Sequence, residues 1–371
     1  IHPGYAVILL LTRRFKTNPV LKILLAYLFS MLITGLTVYL TEIFFENDIF
    51  ENKNMLLGVN AVLLIAVVMY YRTHIFILPS GSNKHQIISI IRNKLRFLKR
   101  YSSEILVFGS LLSLLIISTN YLYGGITIGD QWYHQNRIIL FMTGQFKEFV
   151  LSNGDEIYPP LQSALLAGLT TLSGIPLVNT FASIAFLNIS AVFAFYYFCS
   201  IWLPGDNKRA ALFASALFLI AAGFGWIYII TLAETNPLNS QFASIANFVQ
   251  DKIRVSDIRL SANFMIAAFP DFSTGLIYIA LPAGFLLLGL VRTKFENRFF
   301  YVLILSLVTT LGTLSHDEFY IFIIIASTLP LIYSIEKKYS VYISLIISVT
   351  FTFALDTLLP VKYFTIQSIF G

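Results

Sequence analysis

The chain has 371 residues, of which 57% are hydrophobic and 12% are charged, against roughly 25% charged in soluble domains. The mean hydropathy is +0.77. This composition excludes an ordinary soluble globular protein and predicts an all-α polytopic membrane protein. The net charge is +6, and the single cysteine, Cys199, excludes a disulfide framework and a thiolate metal cluster.

Nine apolar segments are long enough, or nearly so, to cross a hydrocarbon core about 30 Å thick. They occupy residues 20–40, 55–71, 104–123, 177–203, 210–233, 272–291, 299–314, 319–335 and 341–359. A shorter apolar run at 5–11 follows Ile1, which is not a methionine, so we expect a fragment truncated at the N-terminus at least. With that partial helix, the sequence predicts about ten transmembrane helices, plus interfacial helices in the external loops.

The segment between Tyr158 and Gly174 begins with Pro159 and Pro160 and holds an apolar piece of about fourteen residues. That length is too short to cross the membrane comfortably. We interpret it as an interfacial or re-entrant helix.

The distribution of charge predicts the orientation, because short cytoplasmic loops collect Lys and Arg. When loops are assigned to alternate sides, one side holds 18 of the 25 basic residues but only 4 of the 19 acidic residues. We assign that side to the cytoplasm. The basic excess is therefore a topology signal and gives no reason to expect nucleic acid as a partner.

The predicted cytoplasmic loop at 71–100 carries seven basic residues among regularly spaced apolar ones. Such a pattern favours an amphipathic helix on an anionic membrane surface. We expect it to separate an accessory transmembrane region, residues 1–100, from a transmembrane core, residues 101–371. The external loop at 41–54 contains Glu42 and three further acidic residues, and we interpret it as a solvated acidic face without a functional role.

The stretch Gly129-Asp130-Gln131-Trp132-Tyr133-His134 opens a polar segment between two strongly apolar regions. Asp130 has two interpretations: it caps the helix predicted at 131–143, or it is a catalytic carboxylate at the membrane surface. His134 and Arg137 follow at spacings of four and three, which places all three residues on one helical face. The alternative for His134 and Arg137 is an interfacial helix whose arginine extends towards the surface.

Two further external loops carry chemistry-bearing residues. The loop after residue 233 contains Asp251, Lys252, Arg254, Asp257 and Arg259, where Arg254 is a candidate phosphate ligand and internal salt bridges are the alternative. The turn Ser315-His316-Asp317-Glu318 has helix capping as its alternative. A zinc site is not expected. Oxygen ligation of Mg²⁺ or Mn²⁺ by Asp130, Asp317 and Glu318 stays open.

In this part of the chain, a span is followed by Gly-Asp-Gln-Trp-Tyr-His, an amphipathic helix ending at Gly144, Tyr158-Pro159-Pro160 and a short apolar helix. This order of motifs resembles the first external loop of the GT-C superfamily of membrane glycosyltransferases. The resemblance covers about residues 105–203. It implies a sugar donor on polyprenyl or dolichyl phosphate, a glycan, lipid or protein acceptor, and inverting transfer on the non-cytoplasmic face. Asp130 matches the catalytic acid. His134, Arg137, Arg254, Tyr158, His316, Asp317 and Glu318 are the candidates for binding donor phosphate or substrate.

Two features depart from the superfamily pattern. Several spans precede the acidic loop, and the Trp-Trp-Asp motif of oligosaccharyltransferases is absent from the sequence. Two other classes of function also fit a multi-pass protein: a secondary transporter and a non-catalytic membrane scaffold. Ion-coupled transporters place ionisable residues near the middle of their spans, whereas the predicted spans here carry such residues near their ends.

Overall fold

The computed structural model describes residues 3–12, 18–45, 49–75, 99, 101–123, 131–153, 160–177, 185–220, 276–293, 295, 297–316, 319–333, 335 and 338–358. Helices and short turns make up this part of the chain, and no strand occurs in it. The predicted all-α class is therefore confirmed for these residues.

Thirteen α-helices occur in the described ranges. They are α1 (Pro3–Thr12), α2 (Pro19–Phe45), α3 (Ile49–Ile75), α4 (Ser102–Tyr123), α5 (Gln131–Thr143), α6 (Phe146–Asn153), α7 (Leu161–Ser173), α8 (Ile189–Trp202), α9 (Lys208–Ile220), α10 (Leu281–Arg292), α11 (Arg298–Ser315), α12 (Tyr320–Ile332) and α13 (Lys338–Leu358). Two 3₁₀ turns lie at Ala185–Asn188 and Pro204–Asp206, and a π-helical turn, Leu276–Ala280, leads into α10.

Two helices are long and apolar enough to cross a membrane, namely α2 and α11. At 1.5 Å per residue they span about 40 Å and about 27 Å. Seven further apolar helical stretches of 10–17 residues occur, in α3, α4, α7, α8, α10, α12 and α13. The predicted count of about ten crossings is thus not established by helix length.

Helix α2 lies at the centre of the larger apolar core. It packs against α1, α3 and α7, and also contacts α8, α10 and α11. Gly35 and Gly168 allow the close approach of α2 and α7, because a Cβ atom on Gly35 would lie 2.7 Å from Leu161 Cδ1. The buried apolar residues of α2 and those of α7, α10 and α11 belong to one cluster. Helices on both sides of residue 100 therefore share one core. The division into an accessory region, residues 1–100, and a transmembrane core, residues 101–371, stays a prediction.

A smaller core joins α4, α8 and α9. Phe108 of α4 stacks on Phe193 of α8 with ring centroids 4.0 Å apart. At the beginning of α4 the buried Glu104 accepts a hydrogen bond from the Tyr196 hydroxyl at 3.3 Å and pairs with Lys208 of α9 at 3.6 Å. These contacts fix α4 and α9 to the same end of α8.

Helix α11 separates two polar regions by its length, about 27 Å. Near its first residue lie Trp202, Arg292, Asn297 and Tyr333, which we call the Arg292 end. His316 follows its last residue and belongs with Glu42, His134, Arg137 and Phe146, which we call the Arg137 end. The two ends belong to the same bundle, but the arginine is exposed at the Arg292 end and buried at the Arg137 end.

Candidate functional site

Helix α5 presents a buried polar face. His134 and Arg137 lie three residues apart on this face and are 5% and 2% exposed, while Asn136 is exposed. Ile138 and Phe141 complete the buried face, and α5 packs on α7 and also contacts α2 and α3. The amphipathic helix predicted for this segment is present. Arg137 is enclosed by the bundle and does not extend to the surface.

The imidazole of His134 is held in its neutral form. Burial, with smaller contributions from the nearby Arg137 and His316, lowers the pKa of His134 to about 4. His316 directly follows α11 and lies close enough to α5 to interact electrostatically with His134. The structure therefore brings together three of the predicted binding residues, His134, Arg137 and His316. At neutral pH the cluster offers a guanidinium beside an uncharged imidazole, which can donate or accept a hydrogen bond.

An aromatic group supports Arg137. Its guanidinium carbon lies 5.9 Å from the centre of the Phe146 ring, a cation–π distance. Phe146 stacks on Phe141 with centroids 4.0 Å apart, and Phe141 contacts Tyr39 of α2. Gly144, with φ of 67°, makes the turn that brings α6 back against α5. A non-glycine residue would be strained at that φ.

Glu42 was expected in a solvated acidic loop, and that expectation is wrong. Helix α2 continues to Phe45, so Glu42 lies in its last turns and is fully buried. Its carboxyl Oε1 accepts hydrogen bonds from the backbone N–H groups of Phe146 and Lys147, at 2.9 and 3.4 Å. The sequence signal that could have found it is the apolar run that resumes after Glu42, at residues 43–45, and continues the helix past it.

A second buried polar group, absent from the sequence-based candidates, surrounds the π-helical turn. The Tyr278 carbonyl accepts from the Tyr27 hydroxyl of α2 at 2.6 Å and from the Ser190 hydroxyl of α8 at 3.3 Å. The side chain of Gln162 on α7 lies beside the Tyr278 hydroxyl. These residues bind three helices to the turn, and each was hidden within an apolar segment of the sequence.

Five predicted site residues lie outside the described residues: Asp130, Tyr158, Arg254, Asp317 and Glu318. Asp130 directly precedes α5 in the sequence, and Asp317 directly follows His316. Ser315 is the last residue of α11 and donates its hydroxyl to the Leu311 carbonyl of that helix. Across the described ranges, no group of three or more His, Cys, Asp or Glu side chains could hold a metal ion. The Mg²⁺ or Mn²⁺ alternative stays untested, since all three of its ligands lie outside those ranges.

Comparisons with protein-family models, curated proteins and solved structures found no match for this chain. Functional inference therefore depends on the chemistry of the Arg137 end and on the resemblance of the surrounding motifs. That region combines a buried guanidinium and a neutral imidazole on α5 with a buried carboxyl group on α2.

Proposed function

We propose that the protein is a polytopic membrane glycosyltransferase that transfers a sugar from a polyprenyl- or dolichyl-phosphate donor to a glycan, lipid or protein acceptor on the non-cytoplasmic face. The observation that carries the proposal is the pair of buried residues His134 and Arg137 on the helix that directly follows Asp130, with His316, at the end of α11, close to His134. Burying a guanidinium costs several kcal/mol unless its surroundings compensate. In membrane proteins, such residues mark functional sites.

Each residue of the cluster has a role that follows from its chemistry. The donor releases a lipid phosphate, and a guanidinium is suited to bind phosphate oxygens in a water-poor site. His134, being uncharged at neutral pH, donates a hydrogen bond to the same group. Asp130 is the general base: it accepts the proton of the acceptor hydroxyl as that oxygen attacks the anomeric carbon, while the sugar–phosphate bond breaks and the configuration inverts. Arg254, Tyr158, Asp317 and Glu318 are proposed to complete the substrate site.

Exposed apolar faces support the polytopic part of the proposal. Helices α12 and α13 expose large apolar residues along their length, among them Ile321, Ile324, Leu331, Ile343, Ile346 and Phe353. Helix α3 does the same through Leu57, Val62, Ile65 and Met69. Soluble monomers rarely expose contiguous apolar patches of this extent. Lipid is the environment that suits these faces.

Contacts at the two ends support the proposed alternation of loops. Glu104 and Lys208, both assigned to the cytoplasmic side by charge, are in contact, as are Trp202 and Arg292. Glu42 and Lys147, both assigned to the external side, meet at the other end of the bundle. We propose that the Arg137 end faces away from the cytoplasm.

The test is consumption of a labelled donor. Purified protein in lipid would be incubated with a panel of radiolabelled polyprenyl-phosphate sugars, with and without crude membrane acceptors. We expect one donor to be consumed and its label to appear in product of inverted anomeric configuration. Protein that is folded in lipid and consumes none of the panel, with every acceptor fraction, would contradict the proposal.

Sidedness has its own test. Single cysteines placed at Gln131 and at Asp317, in a Cys199→Ala background, would be treated in sealed vesicles or cells with an impermeant thiol reagent. Both should label from the non-cytoplasmic side. If one labels only from outside and the other only from inside, α5 and the turn after α11 cannot share one site.

One observation favours a second candidate, a secondary transporter. The π-helical turn that leads into α10 departs from regular α-helix inside the bundle and accepts hydrogen bonds from hydroxyl groups of α2 and α8, and irregular helix within a bundle is a feature of transporter sites. A transporter would move labelled donor or sugar across a vesicle membrane without breaking it. The donor assay therefore separates the two candidates.

A further inference from the structure

We propose that Glu42 is a positioning residue. It anchors the turn between α5 and α6 to α2, and thereby holds Arg137, the proposed ligand of the donor phosphate, in place. The inference rests on the proposed function, and it assigns a role to a residue in the first 100 residues of the chain. If Glu42 has this role, the site in the core requires a residue of the predicted accessory region, residues 1–100.

The first step of the argument is the anchor itself. Glu42 is fully buried, and its carboxyl oxygen accepts from two successive backbone N–H groups at the beginning of α6, those of Phe146 and Lys147. The first N–H groups of a helix have no partner within the helix. A carboxyl oxygen is a strong acceptor for them and is favoured by the helix dipole. Unlike an ordinary cap, this acceptor lies about one hundred residues away in the sequence, on another helix.

The second step runs from the anchor to Arg137. Phe146, whose N–H is held by Glu42, is itself fully buried and places its ring 5.9 Å from the Arg137 guanidinium carbon. The same ring stacks on Phe141, which is one turn along α5 from Arg137. A shift of α6 therefore moves the Phe146 ring away from the Arg137 guanidinium and disturbs its stack with Phe141. Because the Arg137 side chain is 2% exposed, it is enclosed by its neighbours and must move when they move.

The third step is the flexibility that the anchor restrains. Between α5 and α6 the chain turns at Gly144, which is in the left-handed region with φ of 67°. Glycine imposes little restriction on the backbone, so the angle between α5 and α6 must be set by contacts. The described contacts across this turn include the Gln145 N–H bond to the Leu140 carbonyl within the turn, the Phe141–Phe146 stack, and the two hydrogen bonds to Glu42, which alone among these reach a third helix.

The chain offers a matched control at the Arg292 end. The side chain of Asn297 accepts from the N–H groups of Phe299 and Phe300, at 2.9 and 3.4 Å, at the beginning of α11. The two hydrogen-bond lengths are the same as those at Glu42, although Asn297 is exposed. This cap is local in sequence and lies one length of α11 away from Arg137. Loss of either side chain removes two hydrogen bonds to the beginning of a helix, but only the loss of Glu42 affects the proposed site.

The experiment compares Glu42→Ala, Glu42→Gln and Asn297→Ala with the wild type in lipid nanodiscs. Two quantities are measured: hydrogen exchange in peptides covering 131–153, and the Kd for polyprenyl phosphate, used as the probe. We expect Glu42→Ala to speed exchange in both α5 and α6 and to weaken probe binding about tenfold or more. Glu42→Gln keeps an amide oxygen that can accept the same bonds, so it should restore most of both properties. Asn297→Ala should leave exchange in 131–153 and the Kd unchanged.

Two outcomes would overturn the positioning role: Glu42→Ala leaves α5 exchange and the Kd as in the wild type, or Asn297→Ala weakens binding to the same extent. Failure of the proposed function has a different signature, because the wild type itself would then not bind the probe. In that case the hydrogen exchange of α5 still decides whether Glu42 holds this face of the bundle.

Discussion

The two ends of the bundle contain the same pairing of an arginine with an aromatic ring, in opposite surroundings. At the Arg292 end the guanidinium carbon of Arg292 lies 5.2 Å from the centre of the Trp202 ring, and the arginine is exposed. At the Arg137 end the corresponding distance to Phe146 is 5.9 Å, and the arginine is buried. The geometry of the pair is therefore not what distinguishes a site from an anchor.

Burial and neighbours make the difference. Trp202 donates its indole N–H to the Leu288 carbonyl at 3.0 Å and packs against Tyr333, and Arg292 donates to the Trp202 carbonyl at 3.4 Å. Aromatic and basic residues with such contacts are typical of membrane-interface anchors. Arg137 instead lies near His134, which is neutral because of burial. An ionisable residue buried in a membrane protein is a candidate for a functional site.

The largest effect is expected at Asp130. Asp130→Asn retains much of the capping ability of the side chain but loses its negative charge, so the variant should fold and bind donor while turnover falls by about 10²- to 10⁴-fold. Loss of a cap alone would cost only about 1 kcal/mol of stability. Turnover, donor Kd and apparent Tm would be measured together. A variant with close to wild-type turnover would make Asp130 a helix cap and nothing more.

The next effect concerns pH at the Arg137 end. The pKa of His134 is lowered from 6.5 to about 4 in the folded protein, so the unfolded chain binds the extra proton between these values and stability falls as pH falls. The loss should reach about 2 kcal/mol at pH 5 and about 3 kcal/mol at pH 4. His134→Gln should lack this part of the dependence. Unfolding free energies of both proteins from pH 7 to 5 give the measurement, and parallel losses would contradict the buried neutral imidazole.

The smallest effects are expected from two glycines, one near each end. A Cβ atom on Gly312 would clash with the Phe319 ring, and one on Gly289 would lie 2.7 Å from Tyr197 Cε1. Both substitutions to alanine should destabilise by about 1–3 kcal/mol through overpacking, but only Gly312→Ala, one turn before His316, should also alter donor binding. Gly109 in α4 has nothing within 4 Å. Gly109→Ala should therefore be neutral or stabilise by up to about 1 kcal/mol. Equal effects of Gly312→Ala and Gly289→Ala on donor binding would contradict the claim that only the Arg137 end binds the donor.

Local pattern was sufficient to predict most of the helices. The segment at 20–40 appears as α2, and the short piece after Pro160 appears as α7, ended by Gly174 in the left-handed conformation with its N–H bonded to the Thr170 carbonyl. The i, i+3 spacing of His134 and Arg137 also predicted their common face. These features depend on residues within a few positions of each other.

Long-range packing was not accessible in the same way. Glu42 contacts residues about one hundred positions away, and a count of acidic residues in its loop carries no information about that contact. The network around Tyr278 joins Tyr27 and Ser190 through a backbone carbonyl, which no side-chain pattern records. The span predicted at 177–203 also includes a 3₁₀ turn, directly before α8 begins.

The most direct test of the comparison is the affinity of the protein for polyprenyl phosphate after loss of each arginine. Arg137→Ala and Arg292→Ala remove the same side chain from the same kind of cation–π pair, one buried and one exposed. With folding verified for both, we predict that Arg137→Ala raises the Kd by about 10- to 100-fold, as expected for loss of a charge-assisted hydrogen bond, and that Arg292→Ala leaves it unchanged. Equal Kd values for Arg137→Ala and the wild type, or an equal loss in both variants, would contradict the assignment of the Arg137 end as the donor site.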